Sequence, residues 1–206
     1  MTHLKYGIFA EDAATRVFLE VATPKLLTHL NLEMGTKHTG EYCEDFTNQE
    51  QPKNGLDGFK KAMIPALTKA IIEYKINLCF LARDCDEKNL LSEFEGIKSE
   101  IPDVQSPYAV ICIPQKCIES WAWYCKESFE KLPPEDIEDL GNTAMKNKMY
   151  LIKNGRAGSK GKKVTQKYTE QLDIVHILQK SISFRFFYSE LKTFLLKKQY
   201  NTPTVQ

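Results

Sequence analysis

Little in this chain marks it for one of the easily recognised classes. Its six cysteines, at 43, 79, 85, 112, 117 and 125, form no Cys-x-x-Cys pair, which leaves a structural zinc site without support. No apolar run approaches the roughly 20 residues needed to cross a bilayer, so no membrane association is expected. The opening residues 1–5 lack the pattern of a secretory signal, and the cytoplasm is the expected compartment. The formal net charge is only +1, so a nucleic-acid role cannot rest on overall charge and must rest on local clustering. There is no Gly-rich Walker loop, dinucleotide fingerprint, serine-nucleophile elbow or recognisable catalytic histidine pair.

What is present is ordinary globular composition, 42% hydrophobic and 27% charged, in 206 residues, enough for one large α/β domain or a domain with a helical appendage. Residues 6–10 read as a buried strand. Residues 13–30 have helical spacing, with a kink or break expected at Pro24. Residues 34–56 are punctuated by Gly, Pro and Asn and read as a loop, with an extra strand left open. Helical spacing returns over 56–74, interrupted by Pro65. Residues 76–82 form a second strand, 88–100 a charged helix and 108–113 a third strand. This alternation predicts a mainly parallel, Rossmann-like sheet with crossover helices over 1–115. A helical part packed on that core is expected over 116–200, followed by a flexible tail at 201–206. Within the helical part, Pro134 and Glu135 suit a helix start, and two closing helices are expected near 165–180 and 184–198. Cys79 and Cys112 fall inside apolar runs and are expected to be buried, reduced thiols.

In a parallel α/β sheet, ligands bind at the carboxyl ends of the strands. Glu11 ends the first strand; Asp84 and Asp86 follow the second. If these strands are neighbours, three carboxylates converge, and such a cluster favours a hard divalent cation, Mg²⁺ or Mn²⁺, over zinc. A cation so held suits phosphodiester hydrolysis. A lone Asp-x-Asp also occurs in solvated loops and helix caps, so the motif alone leaves both readings open.

The pattern Phe9-Ala10-Glu11, then Leu81-Ala82-Arg83-Asp84-Cys85-Asp86, resembles the TOPRIM fold shared by topoisomerases, bacterial primases and the overcoming-lysogenisation-defect nucleases. Together with Ile118-Glu119-Ser120-Trp121 and Ser181-x-Ser183-Phe184-Arg185-Phe186-Phe187, the order of motifs is similar to that of a prokaryotic TOPRIM-like family of unknown function, often encoded beside an ATPase, including in anti-phage defence settings. The resemblance spans residues 6–195. It implies Glu11, Asp84 and Asp86 as metal ligands and an active-site role for Glu119. It departs at Asn89, where family members commonly carry another acid, and over 34–56.

The clearest local charge bias runs through Lys146, Lys148, Lys153, Arg156, Lys160, Lys162, Lys163 and Lys167 without an intervening acid. Read as a flexible Gly/Ser/Lys loop, it would follow a phosphate backbone, and its alternative is a solvated surface. Arg83 and Arg185 are further candidate substrate contacts. Trp121, Trp123 and Tyr124 are expected to be packing residues, and Ser183 to cap the last helix. Three expectations follow. The chain is a Mg²⁺- or Mn²⁺-dependent nuclease acting on DNA or RNA with an ATPase partner; or a catalytically weak subunit that binds the ATPase; or it carries another TOPRIM reaction such as primer synthesis. Self-association stays open.

Overall fold

The first strand is apolar on both sides because it lies at the centre of the molecule. In the computed structural model, which describes residues 2–52, 55–85, 89–135, 137, 140–151 and 158–200, β1 (Thr2–Ala10) pairs in parallel with β2 (His38–Tyr42) on one side and with β3 (Leu78–Ala82) on the other, and β3 pairs with β4 (Ala109–Cys112). The strand order is β2-β1-β3-β4, all parallel. The chain leaves β1 towards one edge and returns beside it towards the other. The crevice at the carboxyl ends of β1 and β3 is therefore a topological switch point. Gly7 is required where β1 passes Phe46 and Ile76, because a Cβ there would collide with both side chains.

The helices fill two layers. Leu4, Ile8, Phe80 and Val110 face α1 (Ala13–Met34) and the C-terminal helices, in one cluster that includes Trp121, Phe184, Phe187 and Leu191. Phe9, Cys79, Leu81 and Ile111 face the other side, where α2 (Glu44–Gln49), α3 (Leu56–Ile72) and α4 (Leu90–Lys98) contribute Phe46, Phe59, Met63, Leu67 and Phe94. The alternation of faces along each strand is the period-two rule of extended chain. The expected α/β class, parallel sheet and buried thiols hold, and all six cysteines are buried. Among the described residues no helix is long and apolar enough to cross a membrane.

Several expectations are corrected. α1 runs unbroken through Pro24. The missing N–H costs about 3 kcal/mol in isolation, and burial of Phe18, Leu19, Ala22, Leu26, Leu27 and Leu30 along one stripe offsets it. The loop at 34–56 holds β2 and α2; β2 is a polar edge strand, His38-Thr39-Gly40-Glu41-Tyr42, which lacks the apolar run that marks a central strand. No helix starts at Pro134: residues 133–135 are irregular, and the Glu135 N–H donates to the buried Glu127 carboxylate at 3.2 Å. The next helices are α5 (Ile118–Glu130), α6 (Asn142–Tyr150), α7 (Gly158–Thr169), α8 (Ile174–Lys180) and α9 (Ile182–Tyr200).

The basic segment is thus helical from 158 onward instead of a loop. Its buried face is Gly161, Thr165, Tyr168 and Thr169; the glycine and threonines let α7 approach α1 and α5 but give little hydrophobic signal. Ser183 does not cap α9: Ser181 Oγ accepts from the Phe184 N–H at 3.0 Å, while Ser183 Oγ accepts from Trp121 Nε1 at 2.8 Å. Trp121 is fully buried against Phe18, Phe184 and Phe187, as expected of a packing residue.

Lys131 closes α5 in the left-handed conformation, φ 52°, which strains any residue with a Cβ. Lys131→Gly is expected to raise unfolding stability by about 0.5–1 kcal/mol in urea titration; a fall would show that the turn carries no strain.

Candidate functional site

The register of β1 and β3 decides which polar side chains meet. Ala10 pairs with Ala82, and both belong to the α1 side of the sheet. Continuing the alternation sends Asp12 and Asp84 to the α1 side, and Glu11, Arg83 and Cys85 to the α3 side. The observed contacts follow this parity.

On the α3 side, Glu11 Oε1 accepts from the Gly55 N–H at 2.8 Å, at the start of α3, and Glu11 Oε2 pairs with Arg83 Nε at 3.1 Å. Arg83 is only 3% exposed and also pairs with Glu93 of α4. Glu11 therefore ties α3 and β3 to β1, and Arg83 is engaged inside the protein instead of being presented to a ligand. Asn89, at the position of the departure from the family pattern, has a visible local function: its side chain caps α4, accepting from Leu91 N at 3.0 Å and Ser92 N at 3.2 Å.

On the α1 side, Asp12 caps α1. Its Oδ1 accepts from Ala14 N at 2.6 Å and Thr15 N at 2.9 Å, and its Oδ2 from Thr15 Oγ1 at 2.7 Å. Asp84 Oδ1 accepts from the Ile118 N–H at 3.0 Å, so the carboxylate after β3 caps α5. Glu119, one residue further along α5, is 3% exposed. Its Oε1 accepts from Tyr150 O–H of α6 at 2.8 Å, and that hydroxyl also meets Thr165 Oγ1 of α7 at 3.0 Å. Glu119 Oε2 is buried with no hydrogen-bond partner.

One turn before Tyr150 on the same helix, Lys146 lies within electrostatic range of all three acids. Burial opposes its charge, but Glu119, Asp84, Cys117 and Asp12 outweigh burial and raise its pKa. Burial, then Asp12 and Glu119, push the Asp84 carboxyl well above the ordinary aspartate range, against Lys146 and the Ile118 bond. Glu119 is raised by burial first, with Lys146 opposing. The adjacent Cys117 thiol is raised by burial and by Glu119, so it stays protonated.

The sequence-based trio is thus divided. Glu11 is committed to Gly55 and Arg83; Asp84 lies with Asp12, Glu119 and Lys146; Asp86 lies outside the described residues. Among the described residues no three His, Cys, Asp or Glu side chains are grouped to hold a metal ion. Asp84 and Glu119 each spend one oxygen on a protein donor, so Asp84 Oδ2 and Glu119 Oε2 are the oxygens that could meet an ion. Mg²⁺ commonly uses one or two carboxylates, keeping waters and substrate phosphates as its other ligands.

Of the basic candidates, Lys160, Lys162 and Lys163 are exposed on α7; Lys153 and Arg156 lie outside the described residues. Arg185 does not reach the acids: its guanidinium donates to the carbonyls of Leu178 at 2.8 Å and Gln179 at 3.3 Å, closing α8. Sequence reasoning missed Asp12, Lys146 and Tyr150 as members of the cluster. The four-residue spacing of Lys146 and Tyr150, parallel to that of the buried Met145 and Met149, was the available signal.

Comparison with family models finds no match, and neither curated proteins nor solved structures give one.

A carboxyl whose folded pKa is raised is a net cost to the fold above its unfolded pKa of about 3.9, and the cost vanishes once both states are protonated. Asp84→Asn keeps an acceptor for Ile118 N–H and removes the charge. It is expected to stabilise the protein by about 1 kcal/mol at neutral pH, the difference shrinking as pH falls towards 4, as read from paired urea titrations. A variant less stable than the parent at pH 7 would contradict the assignment.

Proposed function

We propose that the crevice at the carboxyl ends of β1 and β3 is a divalent-cation-dependent centre for hydrolysis of nucleic-acid phosphodiester bonds. The observation that carries this reading is the pair of buried carboxylates, Asp84 and Glu119, each offering one uncommitted oxygen beside Lys146. Bound Mg²⁺ or Mn²⁺ would polarise a phosphate oxygen and lower the pKa of an attacking water. Asp84 and Glu119 would hold the ion, with Asp86 added on its sequence position. The Ile118 N–H and Tyr150 O–H fix the orientation of these two carboxylates, leaving their other oxygens for the ion.

Lys146 supplies positive charge where an anionic phosphate would approach. The exposed Lys160, Lys162 and Lys163 lie on α7, whose opposite face reaches the site through Thr165 and Tyr150. A nucleic-acid backbone tracking α7 would therefore run past the acids. With no nucleotide-binding loop in the sequence, any energy coupling comes from a separate ATPase. That partner and a role in anti-phage defence rest on the family resemblance; the cytoplasmic setting rests on the scattered cysteines, which suit a reducing compartment.

A second reading, a catalytically weak subunit that binds the ATPase, draws on a specific observation: Glu11, the acid that the resemblance makes a ligand, is held by Arg83 and Gly55. The two readings separate in one experiment. Plasmid, linear duplex and structured RNA are incubated with the chain and Mn²⁺, alone and with a candidate ATPase partner. Cleavage that needs the cation and falls by about 100-fold or more in Asp84→Ala, Glu119→Gln and Asp86→Ala is expected. Binding to the ATPase with no cleavage under any of these conditions would replace the nuclease reading with the second one.

A further inference from the structure

The cation-binding reading leaves unexplained how two buried carboxylates and the neighbouring Asp12 coexist before any ion arrives. Both oxygens of Asp12 accept hydrogen bonds from the first turn of α1. Asp84 receives one N–H from α5 and Glu119 one O–H from α6, and Glu119 Oε2 meets no N–H or O–H, only the neighbouring Cys117 thiol lying beside that side chain. Among the described residues, the cationic side chain acting on both carboxylates is Lys146. Its place is fixed. Tyr150 anchors α6 to Glu119 at 2.8 Å, and Met145 and Met149 are buried in the same core cluster. Lys146, one turn from Tyr150, is thereby held facing the acids.

Lys146 nevertheless forms no direct ion pair with either carboxylate among the described residues. The ammonium acts across a gap, and the orphaned Glu119 oxygen is left without a bonded partner. A lysine meant as a permanent structural partner would close on the carboxylate, as Lys192 does on Glu33 at 2.6 Å. Here the charge is supplied and the coordination positions are left open.

We propose that Lys146 is the resident counter-charge of the Asp84–Glu119 pair and that it competes electrostatically with an incoming divalent cation, setting the affinity of the site low. This rests on the proposed cation centre and adds to it a residue that tunes occupancy. Lys146 stabilises the empty site and penalises the filled one, so that tight occupancy requires an anionic ligand, such as a substrate phosphate, to screen the lysine from the ion.

The test is Mn²⁺ titration calorimetry on the parent chain, Lys146→Met, Lys146→Gln and Lys146→Arg, with circular dichroism and thermal melts to establish folding. Removing one like charge close to a divalent ion in a partly screened site is expected to tighten Mn²⁺ binding about tenfold in the Met and Gln variants. Lys146→Arg is expected to bind as the parent does. Asp84→Asn, added as a control, should abolish the heat in every background. Unchanged or weaker binding by both neutral variants, with the parent binding, overturns the role of Lys146 and leaves the cation centre standing. Absence of Mn²⁺ binding by the parent and both neutral variants at millimolar concentration overturns both. Binding seen in the neutral variants alone supports the competition directly. If Lys146→Met fails to fold, the Gln variant decides.

Discussion

The pairing of β1 with β3, in a register that sets Ala10 beside Ala82, is the constraint on which the polar chemistry of this protein depends. Two buried parallel strands leave no freedom to slip, because a one-residue shift would exchange the faces occupied by Ile8 and Phe9, or by Phe80 and Leu81. Beyond the last paired residues, that fixed parity distributes the charged ends of both strands. Glu11 and Arg83 meet on the α3 side, Asp12 and Asp84 on the α1 side. One sheet edge thus carries two polar clusters of different kinds.

The clusters differ in how their charge is settled. Glu11, Arg83 and Glu93 form a chain of opposite charges that joins β1, β3 and α4, with the Gly55 N–H adding α3. Breaking such a buried network by removing one member leaves an uncompensated charge, which is costly. Asp84 and Glu119 are different: like charges, buried, satisfied at one oxygen each, and opposed by a single lysine that does not close on them. The first arrangement is what a structural lock requires. The second leaves carboxylate oxygens uncommitted, and a fold tolerates that only where other packing over-determines the geometry. Here the packing is supplied by Trp121, Phe184 and Phe187 behind α5.

Legibility in the sequence followed the strength of the hydrophobic signal. The central strands and the α/β class were plain because β1, β3 and β4 are nearly continuous apolar runs. β2 carries no such signal because an edge strand need not be apolar, and α7 reads as a loop because it packs through Gly161 and threonines. Asp84 and Glu119 were identified as site residues and do lie together in the cluster with Lys146. Glu11 was grouped with Asp84 on proximity in the topology, although counting alternate residues from Ala10 and Ala82 would have separated them and selected Asp12. Lys146 reads as one charge in a basic run; its four-residue spacing to Tyr150, matching Met145 and Met149, marks its side of α6, but which groups that side meets depends on the α6–α5 packing.

The helices after residue 115 are better understood as the second wall of the site than as an addition to a finished domain. α5 presents its first N–H to Asp84 and carries Glu119; α6 brings Lys146 and Tyr150; α7 supports Tyr150 through Thr165. The same helices share one continuous core cluster with β1, β3, β4 and α1. The half of the chain that holds the Asp84 strand and the half that holds Lys146 therefore cannot move independently without opening that core. α7 closes the same wall: it exposes lysines on one face and reaches Glu119 through the hydroxyls of Thr165 and Tyr150 on the other, so the orientation of a carboxylate on α5 depends on two later helices.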